Sequence, residues 1–323
     1  MAAPLRPKSS SGQPIEAATD GSREARFPHT IVGYDAGRRP LSITLRWYIV
    51  TVSYIPAVRA PRPPEPDDLA VLVVGTDVLT GPHGLPRLGT LPDGVEPVPL
   101  GSVDGRPVWL VDRTGAAGDR PDPATMTVRP WAYFTTQPDL AVTQLVARAL
   151  QLAHFRRGRV FCGVCASRMV DVPGQPARRC PECGRFEWPA PIAVALVAVW
   201  RTGADGRREL LLARHTYGHR DFWALVGGYL DPAENLEDTA RREVAEEVGL
   251  DVDEVTYVGS EGWGSRAPGV LLTVFTARCA DPQADPAVDG QEISAARFFP
   301  VDELPEDLPP AESIARRVID SLR

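Results

Sequence analysis

The sequence predicts a mixed α/β (α+β) fold. Short runs of β-periodic and buried-strand type are interspersed with a few clearly helical stretches, and the two kinds are mixed rather than segregated. Prolines and glycines, 33 and 28 of 323 residues, cut the chain into such short segments. A hydrophobic share of 43% with seven Trp is enough to fill real cores, which excludes wholesale disorder.

Taken in order, residues 1 to about 25 are polar and rich in Pro, Ser and Gly, and read as a loose tail without the apolar core of a signal peptide. Leu41, Ile43, Leu45, Trp47 and Ile49 alternate as in a strand. Ala60 to Asp68 carries four prolines and reads as a stiff, extended linker. Leu69–Val74 and Val108–Val111 read as buried strands. Leu140, Val142, Leu145, Val146, Leu150 and Leu152 have helical spacing, with Pro138 suited to the first helical position. After a cysteine module come strands at Ile192–Trp200, Glu209–Leu212 and Phe222–Val226, then a helix at Leu236–Val248. Strands at Val255–Val258, Leu271–Ala277 and Ala295–Phe299 precede a final helix at Glu312–Leu322. The expected domains are a leader at 1–66, an N-terminal domain at 67–158, a ribbon at 159–188 and a C-terminal domain at 189–323.

Two global properties bound the function. No run approaches the roughly 18 uncharged apolar residues of a membrane span, so no membrane partner is expected. The net charge of −7 argues against a chain coated by polyanions, though not against local phosphate binding.

Four of the five cysteines form two C-x2-C pairs, Cys162/Cys165 and Cys180/Cys183, with 14 residues between them. Two such turns can supply four thiolates to a tetrahedral Zn²⁺ at about 2.3 Å. Four sulfurs leave no open coordination position, so the zinc is expected to be structural. A redox pair of disulfides or a nucleic-acid-binding ribbon, the latter drawing on Arg156, Arg157, Arg159, Arg178 and Arg179, are the alternatives. The absence of an export signal points to a reduced, cytoplasmic setting. Cys279 reads as a small buried hydrophobe.

On the Leu236–Val248 helix, Glu243, Glu246 and Glu247 stand at i, i+3 and i+4 and share one face. Like charges so placed repel, and packing offers no reason to keep them. A hard divalent cation does: Mg²⁺ or Mn²⁺ takes carboxylate oxygens and leaves positions for water and phosphate. Arg242 lies beside them and can hold Glu234. Asn235 suits the N-cap with Asp238 three residues on, and Gly249 suits a left-handed C′. Leu236, Ala240, Val244 and Val248 are expected to form the opposite, buried stripe. His215 and His219 suggest at most a substrate-side or surface role.

From Gly228 to Leu250 the chain satisfies G-x5-E-x7-R-E-U-x-E-E-x-G-U, with U apolar, at every specified position. Seven fixed identities would coincide by chance on the order of 10⁻⁸ per start site. This is the Nudix box, and the chain is identified as a member of the Nudix hydrolases. The resemblance implies the family's α/β/α sandwich at the C-terminus, with the box as loop–helix–loop, and hydrolysis of a nucleoside diphosphate linked to another moiety. The ribbon just before the box makes the chain similar to the zinc-ribbon NADH pyrophosphatase family, also described as NAD-capped RNA decapping enzymes. Phe161–Cys165, Val98–Trp109, Gln291–Pro305 and Pro309–Ile319 resemble that family's segments.

The resemblance implies metal-dependent cleavage of NAD(H)-like dinucleotides to AMP and nicotinamide mononucleotide, including NAD-capped RNA ends. It names Glu292 as a fourth metal-side carboxylate, and Gly228, Tyr229, Ser260 and Trp263 as substrate-side residues, Tyr229 as an aromatic that stacks on a base. Glu247 or Glu292 is the base that takes the proton from water. It also implies a homodimer. The family's S-Q-P-W-P-F-P signature is altered here to Ser260-Glu-Gly-Trp-Gly-Ser-Arg-Ala-Pro268; the extra charge of Glu261 is expected to sit poorly near phosphates. ADP-ribose or another nucleoside diphosphate derivative is therefore the alternative substrate, and a non-catalytic nucleotide sensor or nucleic-acid adaptor the alternative of another class.

Overall fold

The computed structural model describes residues 31–34, 40–43, 54–57, 62–91, 96–115, 126–136, 139–173, 175–216, 222–264, 269–288, 290–311 and 313–323. The chain divides into two compact units, residues 1–47 and 48–323. In the first, β1 (Ile31–Tyr34) pairs antiparallel with β2 (Pro40–Ile43). The tail before residue 31 and the alternating residues Leu45, Trp47 and Ile49 lie outside the described residues.

The second unit opens with a six-stranded sheet. Its strands are β3 (Tyr54–Pro56), β4 (Leu69–Val74), β5 (Asp77–Thr80), β6 (Val98–Val103), β7 (Arg106–Asp112) and β8 (Thr127–Pro130), in the order β3-β6-β7-β4-β5-β8. β3 lies upstream of the boundary expected at residue 67, yet it is a strand of this sheet. After the short α1 (Trp131–Thr135) comes α2 (Leu140–Gly158). Asp139 caps α2 by accepting from the Ala141 and Val142 amides; Pro138 lies outside the described residues. Leu145, Val146, Ala149 and Leu150 of α2 bury against Val71, Val73, Leu100, Val108 and Leu110 of the sheet.

The described part of the proline segment is no free spacer. The Arg62 guanidinium grips both oxygens of Asp68, and Asp68 also accepts from the Trp109 indole at 2.9 Å. A buried carboxylate that accepts from guanidinium, indole and the Glu65 amide outweighs the extended preference of the prolines and folds the segment onto the sheet.

The ribbon follows as β9 (Val170–Asp171), β10 (Arg178–Arg179) and β11 (Phe186–Glu187), ordered β11-β10-β9. Arg178 donates to the Arg156 and Arg159 carbonyls at the C-terminal end of α2, where such orphan acceptors favour a cation.

The C-terminal sheet contains β12 (Ile192–Thr202), β13 (Arg208–His215), β14 (Val226–Tyr229), β15 (Val252–Trp263), β16 (Val270–Cys279) and β17 (Ile293–Pro300). Its order is β15-β16-β12-β13-β17, with β14 paired antiparallel to β12, and β12 runs parallel to β16. The strand expected at Phe222–Val226 begins only at Val226. α3 (Leu236–Val248) packs on one face through Ala240, Val244 and Val248, and α4 (Ile314–Ser321) packs against β12, β15 and β16. Asn235 accepts from the Asp238 amide at 2.8 Å, and Gly249 closes α3 in the left-handed conformation. Cys279 is buried in the core under α3. Among the described residues no helix is long and apolar enough to cross a membrane.

Candidate active site and metal centres

The carboxylates of α3 do not stand opposite its buried stripe, as expected, but beside it. Glu243 and Glu247 are buried along with Ala240, Val244 and Val248, while Glu246 is exposed. At 100° per residue, positions 243 and 247 fall next to 240 and 244, so the helix drives two of its acids toward the sheet.

Two adjacent glycines of β14 receive them. The Gly227 amide donates to Glu247 Oε2 at 3.3 Å. Gly227 has φ +155° and its missing Cβ would lie 2.0 Å from the Ala195 carbonyl oxygen, so no other residue fits. A Cβ on Gly228 would lie 2.3 Å from the Glu243 carboxyl carbon; the absent side chain is the seat of that carboxylate.

Arg242 organises the rest. It holds Glu234 with two bonds, Nε to Oε1 at 2.7 Å and Nη2 to Oε2 at 2.9 Å. Its Nη1 reaches both Glu243 at 2.7 Å and Glu246 at 3.0 Å, and its Nη2 also reaches the Tyr229 carbonyl at 3.0 Å. These hydrogen bonds hold the Glu234 carboxyl at about 2. Burial pushes Glu243 the other way, up, against the pull of Arg242 and with help from the charges of Glu246 and Glu292. Glu292 is therefore close enough to act on Glu243 although it comes from the exposed lead into β17. The Thr216 amide, at the end of β13, pins the Glu292 carbonyl at 2.8 Å.

A hard dication suits this donor set. The acids are oxygen donors of like charge held near one another, and the arginine already bridging two of them marks the place where positive charge is wanted.

The four cysteine sulfurs lie within 4.8 Å of one another. Cys162 Sγ is 3.6 Å from Cys183 Sγ, and Cys165 Sγ is 3.4 Å from Cys180 Sγ. A zinc with sulfurs at about 2.3 Å needs edges of roughly 3.8 Å, so the set fits. The Val164 and Cys183 amides point at Cys162 and Cys180, and hydrogen bonds from Ser167 hold the Cys165 thiol at about 6, ready as a thiolate. Among the described residues no other three His, Cys, Asp or Glu ligand atoms gather so tightly.

Two family models match this chain. The NUDIX domain matches residues 191–322 and the NADH pyrophosphatase zinc ribbon domain matches residues 160–187. A protein of Deinococcus radiodurans named NAD-capped RNA hydrolase NudC is 34% identical over 80% of this chain and 88% of its own length. Proteins of the same name from Stutzerimonas stutzeri and Erwinia tasmaniensis are 35% and 32% identical, each over 68% of this chain and over 75% and 77% of their own lengths. The chain belongs to the Nudix hydrolases, in the branch with the NADH pyrophosphatase zinc ribbon.

The pleat sorts the residues expected on the substrate side of this Nudix hydrolase. Gly228, Ala195, Thr273 and Ser260 pair across three strand boundaries and so share the α3 face. Tyr229, Val194, Leu272 and Glu261 form the next row, on the opposite face. Tyr229 is 58% exposed there and meets the carboxylate cluster only through its carbonyl. Ser260 is exposed and accepts from the Tyr257 hydroxyl at 3.1 Å. The Trp263 ring packs edge-on against Trp131 at 5.8 Å, and its carbonyl and that of Gly264 accept from Gln151. It ties the end of β15 to α1 and α2.

Glu261 corrects an expectation. Strand alternation carries it away from the carboxylates to the α4 side, where it is buried and paired with Arg317 at 2.5 Å. Its charge therefore does not stand beside the α3 acids. Thr273, a buried hydroxyl in the Gly228 row, was not legible in the sequence, because only the sheet register puts it there. His215 Nε2 lies 3.3 Å from the Leu225 carbonyl, whereas His219 and Ser265–Pro268 lie outside the described residues.

Proposed function

We propose that the chain hydrolyses the pyrophosphate bond of NAD(H)-like dinucleotides to AMP and nicotinamide mononucleotide, with NAD-capped RNA ends as the extended form of the same substrate. The seating of Glu243 and Glu247 on Gly228 and Gly227, beside exposed Glu246, carries this reading. Relatives named NAD-capped RNA hydrolase support its substrate.

Glu243, Glu246, Glu247 and Glu292 would hold Mg²⁺ or Mn²⁺, and Cys162, Cys165, Cys180 and Cys183 a structural Zn²⁺. Bound at the glutamates, a dication would supply positive charge to offset the negative charge that grows as water attacks phosphorus. The residues do the rest. Arg242 keeps Glu234 ionised and fixes the turn that leads into α3. Gly227 aims Glu247, and the absent Gly228 side chain leaves room for Glu243. Glu247 or Glu292 takes the proton from the attacking water. Tyr229 at the end of β14 is the platform for a base, and Ser260 lines the α3 face.

An N-terminal domain that β3 extends upstream of residue 67 to Tyr54, a ribbon at 159–188 and a catalytic domain at 189–323 act in this reading as parts of a cytoplasmic homodimer. Light scattering tests the dimer, and a strict monomer at micromolar concentration counts against it.

The deciding experiment is a chromatographic product panel. NAD⁺, NADH, ADP-ribose, FAD, diadenosine polyphosphates and a capped oligoribonucleotide are offered with Mg²⁺ or Mn²⁺, with Glu246→Gln as control. Release of AMP and nicotinamide mononucleotide by wild type alone supports the assignment. A control equal to wild type on every compound removes the glutamates from the mechanism. Preference for ADP-ribose establishes the second reading.

A further inference from the structure

The ribbon has two faces of opposite character. In one row Arg178 pairs with Asp171 and Glu187 across the strands. That face is electrostatically closed: Arg156 and Arg178 meet Asp171, and Arg159 and Arg185 meet Glu187. The other row is Val170, Arg179 and Phe186. Arg168 and Trp188 lie just beyond the outer strands, two residues from Val170 and Phe186, in step with that row. Phe161 is the bridge partner of Arg168.

Phe161 is 62% exposed, Phe186 47% and Trp188 52%. Arg168 and Arg179 are exposed as well, and neither meets a carboxylate among the described residues. Three aromatic rings left in water are an interaction surface rather than a packing accident. Interleaved with two unneutralised guanidiniums, on a face whose rows hold no acid, they match single-stranded nucleic acid: rings stack on bases and arginines take phosphates. The net charge of −7 makes such a patch local. From Trp188 the chain enters β12 through exposed Ile192 to Val194, the cross-strand partner of Tyr229. Six residues span at most about 20 Å, so the patch lies within reach of the strand end that carries the proposed base platform.

We infer that this outer face of the zinc ribbon, through Arg168, Arg179 and the rings of Phe161, Phe186 and Trp188, binds the single-stranded RNA body that follows the cap. The inference rests on the capped-RNA reading of the catalytic site and adds a second, non-catalytic contact to it.

The test uses the full-length zinc-loaded protein and a fluorescent, uncapped single-stranded oligoribonucleotide, followed by anisotropy across a salt series. Arg168→Ala with Arg179→Ala weakens binding at least fivefold and lowers the slope of log affinity against log salt by about 1.4, the share of two phosphate contacts on a single strand. Phe186→Ala with Trp188→Ala weakens binding about tenfold per ring and leaves that slope unchanged. Both pairs retain zinc and hydrolyse free NAD⁺ at the wild-type rate. Absence of RNA binding by wild type, or affinity and slope unchanged in both pairs, overturns the inference. So does dissociation of a dimer by either pair in light scattering, which would make the face a subunit contact. If NAD⁺ is cleaved but capped RNA is not, the substrate reading fails by itself, and binding of the uncapped probe still decides the surface.

Discussion

In the ribbon, four sulfurs lie within 4.8 Å of one another; on α3, the acids are spread around an arginine that touches Glu234, Glu243 and Glu246. In the proposed reading both regions are ligand sets for a cation, and they differ as a clasp differs from a grip. Two tight turns bring the thiolates together locally and close every coordination position. The α3 glutamates repel one another; Glu243 and Glu247 are buried and depend on β14 for their seats, while Glu246 opens to solvent. A structural site gains from completeness. A hydrolytic site must keep positions for water and phosphate, so it tolerates carboxylates of raised proton affinity such as Glu243.

The sharpest way to break this contrast is to remove one ligand from each region. Cys180→Ser takes away a fully buried thiol. It should abolish zinc binding by elemental analysis and lower the melting temperature, because structural zinc contributes on the order of 10 kcal/mol to its own small module. Glu246→Gln should do the reverse. The side chain is 62% exposed, so melting should hardly move, while kcat/KM falls by on the order of 10²–10³. If the cysteine variant melts like wild type, or the glutamate variant unfolds, the division between structural and chemical sites is lost.

Gly228→Ala probes the seat itself. The atoms nearest the new methyl are the end of the flexible Glu243 side chain, so the carboxylate shifts and the strand stays. A displacement of about 1 Å is worth roughly 10²-fold in rate, and the melting curve should stay close to wild type. Unaltered steady-state kinetics would show that Glu243 need not sit there.

Two smaller effects concern pH. Glu234 is held at about 2 against an ordinary 4.5 by Arg242. A depressed carboxyl stabilises the fold above the unfolded value, and that contribution drains away as pH falls from about 4.5 through about 2. Melting curves over this window should lose less stability in Arg242→Gln than in wild type; equal slopes would mean the clamp is energetically silent. Glu261 is the opposite case. Burial raises its carboxyl above 4.5 despite Arg317, so its contribution is full below 4.5 and lost as pH rises through the folded value. Glu261→Gln should therefore gain in melting temperature relative to wild type from pH 4 to pH 8. A constant difference between the two curves across that range would refute the assignment of burial as the dominant cause.

What could be read early and what could not divides by range. The α3 helix was legible residue by residue: Asn235 caps it, Gly249 ends it, and both devices act within four residues. The cysteine pairs were legible because their geometry is built into two short turns. The face on which Tyr229 and Glu261 stand was not. It depends on register with Val194 and Leu272, and on an arginine 56 residues further along the chain. The proline segment misled for the same reason: the Asp68 anchor that folds it reaches Trp109, 41 residues on.

By itself the sequence determined the chemistry: which groups bear charge, which are soft donors, and where a helix must begin and stop. Those choices follow from side-chain type and from hydrogen bonds between near neighbours. Only the tertiary structure decided which acids are buried, which rings face water, and which strands lie side by side. Such facts are properties of pairs of surfaces, and a surface has no partner until distant segments have folded against it.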